Sequence, residues 1–150
     1  MKCVIPAKHI RMLGRVIHTL AKIGDYLFIE PLPNNNLALR TLNSSRSSFL
    51  SFILNENFFE EYIENMPDEI ENTSVEDPEN QSKFKVFLRA VVMAFKSISS
   101  VDKTVESCTI QTLQKEQKVQ ITLRCKFSVT KLYSIPCLGK FNIILFGIGY

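Results

Sequence analysis

The stretch AKHIRMLGRVIHTLAK, residues 7–22, has the periodicity of one amphipathic helix. Its apolar side chains recur every three or four positions, which is typical of a helix that packs on a sheet. The predicted helix runs from about Lys8 to Ile23, and Gly24 is placed to end it. Its apolar face comprises Ile10, Leu13, Ile17 and Leu20.

The same helix carries a basic stripe, which we define as Lys8, Arg11, Arg15, His18 and Lys22. These side chains are spaced three or four residues apart, so they share one side of the helix, and no acidic residue lies among them. Surface helices usually mix the two signs, because like charges at these spacings repel one another. The stripe therefore suggests a partner outside the helix, although a plain solvated surface is the alternative.

Strand-like segments flank this helix and recur along the chain. MKCVI precedes Pro6, and DYLFIE, LALRTL and SSFLSFIL follow the helix, the first two joined by the turn PLPNNN. A second set begins with KFKVFL and a second helix, RAVVMAFKSI, and continues with TVESCTIQTL, KVQITLRCKF and SVTKLYSI. NENFFEEYIEN fits either a short helix or a bent edge strand. The order β-α-β-β-β occurs twice, and short connections favour antiparallel pairing, so the predicted class is α+β.

Charge is distributed unevenly over the 150 residues. The formal net charge is only +3, yet residues 55–80 hold ten of the fifteen acids and no Lys or Arg. The rest of the chain is strongly basic, with 18 bases against five acids. Within the acidic region, MPDEIENTSVEDPENQ, residues 66–81, contains two prolines and lacks apolar periodicity, which predicts a solvated loop. A basic body of this kind suits a phosphate backbone.

The cysteines and the N-terminus indicate an intracellular, reducing compartment. Cys3, Cys108, Cys125 and Cys137 are far apart without a C-x-x-C pair, which argues against a zinc or disulfide framework. We expect buried free thiols for the three in apolar runs. No apolar segment is long enough for a signal peptide or a membrane span.

Motifs for catalysis are missing from the sequence. It has no G-x-x-x-x-G-K-[ST], G-x-S-x-G, H-E-x-x-H or G-x-G-x-x-G pattern. His9 and His18 are best interpreted as surface histidines. A metal-dependent nuclease built on the acidic cluster, with Glu60 and Glu64, is the enzymatic alternative, but metal nucleases place their carboxylates on rigid elements. The prediction is a protein that is not an enzyme and has no cofactor or metal.

The second helix strengthens the interpretation of the first. Arg89 and Lys96 are seven residues apart, two helical turns, so we expect them to share a face above an apolar side that packs on the sheet. Neither helix begins with the Asn, Gln or Arg cluster that reads base edges. The two helices are predicted to form one positive surface that contacts DNA without sequence preference.

Several runs of this sequence resemble, in order, the N-terminal domain of the Rad-nine subunit family of the DNA-damage checkpoint clamp. They are MKC, LGRVIHTLAKIGDYLFIEPL, LALRTLNSSRSSF, FFEEY, VDKTVESCTI and LRCKFSVTK, and together they cover roughly residues 1–135. This clamp is the nine-one-one ring, a heterotrimer related to proliferating cell nuclear antigen. The resemblance implies a single sliding-clamp domain, with two helices packed on antiparallel sheets, and a nuclear role in the DNA-damage response, repair and the cell cycle.

In such rings three subunits encircle double-stranded DNA, the helices line the channel, and a separate ATP-driven clamp loader places the ring. The resemblance implies that family positions at Arg11, Arg15, Lys22, Arg89 and Lys96 face DNA, and the local stripe alone adds Lys8. The predicted partners are DNA, the two other clamp subunits and the loader, with no membrane. An isolated DNA-binding or partner-sequestering module is the first alternative, and the nuclease is the second.

The sequence departs from the family pattern in two places. The acidic loop at 65–82 is longer than the resemblance requires and is expected at the end or outer edge of the domain. After about Ile135 the resemblance stops, and 136–150 is a divergent apolar tail, so the second clamp domain and regulatory tail are expected to be absent. In clamps the strand SSFLSFIL pairs with that second domain, and SVTKLYSI pairs with a neighbouring subunit. We therefore expect an exposed interface edge at Phe49, Phe52 and Ile53.

Overall fold

A computed structural model describes residues 1–64, 83–96 and 103–139. The predicted acidic loop and most of the apolar tail lie outside these ranges. The described part contains two α-helices, nine strands and one 3₁₀ turn. In chain order they are β1 (Lys2–Pro6), α1 (Ala7–Ala21), β2 (Tyr26–Leu32), β3 (Asn36–Leu42), β4 (Phe49–Leu54), the 3₁₀ turn (Glu56–Phe58), β5 (Glu61–Ile63), β6 (Phe84–Phe87), α2 (Leu88–Ala94), β7 (Val105–Leu113), β8 (Lys118–Cys125) and β9 (Thr130–Pro136).

The described strands form two antiparallel sheets. The five-stranded sheet has the order β5-β1-β7-β8-β9, and the four-stranded sheet has the order β4-β3-β2-β6. Hairpins join β2 to β3, β3 to β4, β7 to β8 and β8 to β9, as their short connections predict. The predicted α+β class, with two helices packed on antiparallel sheets, is confirmed.

The helices cover the inner faces of the sheets and bury the core. The apolar face of α1 is buried as its periodicity predicts, and α1 packs on β1, β7 and β3. The second helix, α2, packs on β2, β6 and β9 and also against α1. Each leucine or isoleucine that is fully buried contributes about 1.5–3 kcal/mol. The core residues contributed by α1 are Ile10, Leu13, Val16, Ile17 and Leu20.

A backbone hydrogen bond connects the two sheets. It runs from the segment that follows β9, an edge strand of one sheet, to β6, an edge strand of the other. The Leu138 N–H donates to the Lys85 carbonyl at 2.8 Å, just after β9 has ended. The neighbouring Cys137 N–H donates to the Gln117 carbonyl at 2.8 Å. The chain is therefore held against the body of the domain as far as Leu138.

The end of α1 differs from the sequence prediction. The helix ends at Ala21, with Lys22 as its αR C-cap, two residues earlier than expected. Gly24 does not have the left-handed backbone of a typical helix-ending glycine, and among the described glycines only Gly139 has a positive φ. Gly24 is required for space, because a Cβ there would meet Thr41 Oγ1 and lie 2.6 Å from the Leu42 carbonyl oxygen.

The structure also tests the sequence predictions for two further segments. NENFFEEYIEN contains both of the predicted alternatives, the 3₁₀ turn followed by β5, which pairs with β1. The second helix is shorter than predicted, because it ends at Ala94 and Phe95 leaves helical geometry with φ −110°. The Phe95 side chain is buried in the core. Lys96 therefore lies beyond the helix, and the prediction that Arg89 and Lys96 share a helical face is wrong.

The four cysteines are free, and Cys3, Cys108 and Cys125 are buried while Cys137 is half-buried. Burial raises the pKa of Cys3 to about 12 and also raises the pKa of Cys108, because the thiolate is disfavoured away from water. We expect iodoacetamide at about pH 8 to label Cys137 first in the native protein, since a thiolate is the reactive form. All four should react in denaturant. Peptide mass mapping measures the order, and labelling of native Cys3 as fast as Cys137 would contradict it.

Candidate nucleic-acid interface

The cationic side chains of the basic stripe are exposed on α1. Lys8, Arg11 and Arg15 belong to the helix, and Lys22 is its C-cap. They lie on the side opposite the buried residues, because buried and exposed positions alternate with the helical period. The fold therefore presents these four cations on one outward face of α1.

The electrostatics at the N-terminal end of α1 are unfavourable for the helix itself. Its first turn contains no acidic residue, and Asp25, beyond the helix, is the first acid in the whole chain. A helix N-terminus already carries a partial positive charge, so Lys8 there costs a few tenths of a kcal/mol at an exposed site. This arrangement suits binding of an external anion better than it suits the isolated helix.

The second helix adds basic side chains beside the first. Arg89 is exposed on α2, and Lys96 is exposed two residues beyond the end of that helix. Because α2 packs against α1, these residues come from elements adjacent to the basic stripe. The geometry of α2 positions Arg89, whereas Lys96 is positioned by the turn at the end of the helix, where Phe95 is buried.

The two histidines of α1 have different surroundings. The ring of His9 stacks on Phe58, with centroids 4.7 Å apart, and its Nδ1 lies 2.9 Å from the Phe58 carbonyl oxygen. His9 thus fastens α1 to the 3₁₀ turn. His18 is half-buried, and its Nδ1 lies 2.7 Å from the Gly14 carbonyl oxygen one helical turn earlier.

Strand β4 lies at one edge of the four-stranded sheet, paired on one side with β3. Phe49 and Ile53 are 41% and 61% exposed. Phe52 is partly buried and packs against the core, so its predicted exposure is wrong. The reason is strand alternation, which places residues 49, 51 and 53 on one face and Phe52 on the other.

Sequence reasoning missed a polar cluster on the outer face of the four-stranded sheet. Arg40 Nη1 donates to Glu30 Oε2 at 2.6 Å, and Arg40 Nε donates to Ser51 Oγ at 3.2 Å. Lys83 Nζ lies 3.6 Å from the other Glu30 oxygen. The signal was available, because Glu30, Arg40 and Ser51 each alternate with inward-facing apolar residues. The contacts among these three side chains nevertheless depend on the register of the paired strands, which cannot be determined from the sequence alone.

Aromatic side chains lie beside this cluster on β2 and β6. Lys85 Nζ sits 4.1 Å from the centroid of the Tyr26 ring, within cation–π distance. The Tyr26 and Phe87 rings are 5.2 Å apart. The cations on the outer face of this sheet are thus paired with a carboxylate or with aromatic rings of the same sheet.

The nuclease alternative gains no geometric support from the described residues. Glu60 and Glu64 are exposed, and no group of three or more His, Cys, Asp or Glu in residues 1–64, 83–96 and 103–139 could hold a metal ion. Six further acids of the cluster lie outside these ranges. In the same ranges no helix has the length and apolar character to cross a membrane.

The serine-rich turn between β3 and β4 is organised by Asn43. Its Oδ1 accepts from the backbone N–H groups of Ser47 and Ser48, at 2.9 and 3.0 Å. Arg46 has a φ of 57° and sits at the exposed tip. These contacts give the serines a structural role in the hairpin.

Comparisons with known proteins agree on one family. A family model described as Rad9 matches residues 13–145. The cell cycle checkpoint control protein Rad9 of Drosophila melanogaster is 25% identical over 143 residues. Those residues are 95% of this chain but 28% of the relative, so the chain spans under a third of that protein's length.

Solved structures show the same fold. The crystal structure of the PCNA2–PCNA3 complex from Sulfolobus tokodaii aligns with a TM-score of 0.68 at 17% identity, over 100% of this chain and 51% of that one. The crystal structure of PCNA from Thermococcus kodakaraensis aligns with a TM-score of 0.67 at 16% identity, over 94% of this chain and 48% of that one. At these identities the alignments establish a PCNA-like sliding-clamp fold.

Proposed function

This chain belongs to the Rad9 family, and on that premise we propose that it is the first clamp domain of a checkpoint clamp subunit, which helps to hold duplex DNA without sequence preference. The observation that carries the proposal is the exposed, acid-free basic stripe on α1. The proposed DNA-facing residues are Lys8, Arg11, Arg15, Lys22, Arg89 and Lys96.

The chemistry of the proposed contact is charge neutralisation. Lysine and arginine side chains that approach phosphates release condensed counterions, and this term is independent of base sequence. Phosphate contacts position a protein on DNA, whereas base-edge contacts specify sequence. The basic stripe supplies cations without the Asn or Gln side chains that read adenine, which favours the first kind of contact.

The remaining parts of the proposal concern assembly and location. As a member of a heterotrimeric ring, the domain would act in the nucleus as a scaffold without enzymatic activity, loaded by a separate clamp loader. Two sheet edges support ring assembly: β4 is the edge proposed to pair with a second domain, and β9 is the edge proposed to pair with a neighbouring subunit. Exposed Phe49 and Ile53 would be covered by the first of these contacts.

Duplex binding by this chain tests the proposal directly. We expect two unrelated duplex sequences to bind with equal affinity in fluorescence anisotropy, and the affinity to fall with salt. If three to five cations contact phosphates, the slope of log K against log salt concentration is about −3 to −4.5. Affinity that is independent of salt, or strongly dependent on sequence, would contradict backbone binding.

The same samples separate the proposal from the nuclease alternative. With Mg²⁺ or Mn²⁺ present, we expect the duplex to remain intact on a denaturing gel. Cleavage that requires the metal and is lost in E60Q/E64Q would instead establish the nuclease. A monodisperse 150-residue chain that binds duplex, and that does not associate with other clamp subunits, would favour the isolated module.

A further inference from the structure

We propose that two copies of this chain bind each other, with β4 of one copy pairing with β9 of the other in a single antiparallel register. The inference goes beyond the proposed DNA contact and is independent of it, because it concerns the edges of the sheets and not the helices. Among the described strands, β4 ends the four-stranded sheet and β9 ends the five-stranded sheet. An edge strand can accept a further strand through its outward-pointing backbone groups. The inference is that these two edges fit one another.

Both edge strands expose apolar side chains on the outer face of their sheets. On β4 these side chains are Phe49 and Ile53. On β9 the side chain of Leu132 is 60% exposed, and it lies opposite Thr122, an outward-facing residue of β8. Pairing of the two edges makes the outer faces continuous and removes part of this apolar surface from water, which favours association.

Hydrogen bonds at two hairpin turns show which backbone groups point to each free edge. The Asn43 N–H donates to the Ser48 carbonyl at 3.0 Å, and the Cys125 N–H donates to the Val129 carbonyl at 2.8 Å. Hydrogen-bonded and non-hydrogen-bonded pairs alternate along an antiparallel ladder. Residues 49, 51 and 53 therefore direct their N–H and C=O groups away from β3, and residues 130, 132 and 134 direct theirs away from β8. On both strands these residues also carry the outward side chains, as pairing into one continuous sheet requires.

One register places like side chains opposite each other in three successive pairs, which are aliphatic, aromatic and hydroxyl in character. The pairs are Ile53 with Leu132, Phe52 with Tyr133, and Ser51 with Ser134. The aromatic pair lies on the inner face, where both rings already pack against the core of their own copy. Cross-strand pairs of these three kinds stabilise antiparallel sheets. In this register all six residues of β4 have a partner on β9.

Other registers are less favourable. A shift of one residue opposes backbone groups that do not both point to the edge, and it exchanges the two faces of the sheet. A shift of two residues in one direction brings Lys131 opposite the ring of Phe52. In the other direction it requires Phe49 to pair with Leu138, whose N–H already donates to the Lys85 carbonyl at 2.8 Å.

Two variants that each block one edge test the proposal. I53K places a charge on the β4 edge and L132K places one on the β9 edge, and both replace exposed side chains, so the fold should be retained. In sedimentation velocity at increasing concentration, we expect each variant alone to self-associate at least about tenfold more weakly than the wild type. An equimolar mixture should form a species of two chains, because each variant keeps the edge that the other has lost. M93K removes an exposed apolar side chain from α2 and should associate as the wild type does.

Disulfide cross-linking between separate chains measures the register. The background is C137S, because Cys137 is half-buried whereas the other three cysteines are buried. S51C and S134C chains mixed under oxidised glutathione should cross-link, since the Cα atoms of a hydrogen-bonded pair are about 5.5 Å apart and a disulfide spans that distance. S51C mixed with L132C is the matched control, because a diagonal pair is about 7–8 Å apart. Intact mass with one chain ¹⁵N-labelled distinguishes the mixed product from either homodimer.

Each outcome bears on a separate part of the inference. Equal cross-linking of S51C to S134C and to L132C overturns the register. Wild-type association that I53K and L132K leave unchanged, or S51C cross-linking with itself as fast as with S134C, overturns pairing of β4 with β9. A wild-type chain that stays monomeric at every concentration, together with no cross-link from S51C to S134C, overturns self-association altogether. DNA binding through α1 is measured separately in I53K, where it should be retained.

Discussion

R11E/R15E is expected to reduce duplex affinity about a hundredfold at physiological salt and to leave the fold intact. Each change replaces a cation with an anion on the exposed face of α1, so two proposed phosphate contacts become repulsions. The salt slope should become shallower by about 1.8, since about 0.9 is lost for each contact. Anisotropy with an unrelated duplex measures both quantities, and circular dichroism checks that the helix and sheets are retained.

The matched control is R124E, which makes the same change of charge on another face. Arg124 is exposed on β8 between the buried residues Leu123 and Cys125, so it points away from the core and the helices. We expect R124E to alter affinity by less than R15E alone. If R124E and R15E weaken binding equally, the affinity for DNA depends only on the net charge of the protein, and the assignment of the contact to α1 is wrong.

G24A is expected to lower the free energy of unfolding by about 2–3 kcal/mol, the cost of overpacking a tight site. A Cβ at this position would meet Thr41 Oγ1 and lie 2.6 Å from the Leu42 carbonyl oxygen. The Thr41 side chain is fully buried, and its hydroxyl donates to the Tyr26 carbonyl at 2.7 Å, so it has little room to move. Urea denaturation followed by circular dichroism measures the loss.

A double-mutant cycle with T41A identifies the source of that loss. T41A removes the hydroxyl that the new Cβ would meet, although it also removes the hydrogen bond to Tyr26. We expect G24A to cost less in the T41A background than in the wild type, because the two groups occupy the same space. An equal cost in both backgrounds would show that Gly24 matters for another reason, such as the Leu42 backbone.

Local patterns in the sequence were enough to predict the helices and most strands. The period of α1 specified which residues are buried, since Ile10, Leu13, Ile17 and Leu20 form a regular face. Alternation likewise predicted β7 and β8, in which most inward residues are apolar and most outward residues are polar, with Thr112 and Leu113 of β7 as exceptions. The basic stripe also followed from spacing, because exposed and buried faces of one helix are fixed relative to each other.

Contacts between distant segments could not be predicted in the same way. The position of β1 between β5 and β7 depends on pairing across more than fifty residues, and no local pattern encodes it. The exposure of Phe52 was mispredicted because the segment was treated as an edge without its alternation. Lys96 was misplaced because the buried Phe95 ends α2, and burial in the tertiary core overrides helical propensity.

The edges of the two sheets have a consequence for symmetry. β4 ends the four-stranded sheet and β9 ends the five-stranded sheet, so a contact between β4 of one copy and β9 of another joins unlike surfaces. Such a heterologous contact has no two-fold axis and leaves one edge of each kind open. Repetition then yields a closed ring or an open fibre, according to the rotation at each step. Pairing of β4 with β4 is isologous and stops at two copies, so the size distribution of self-associated chains reports which edges meet.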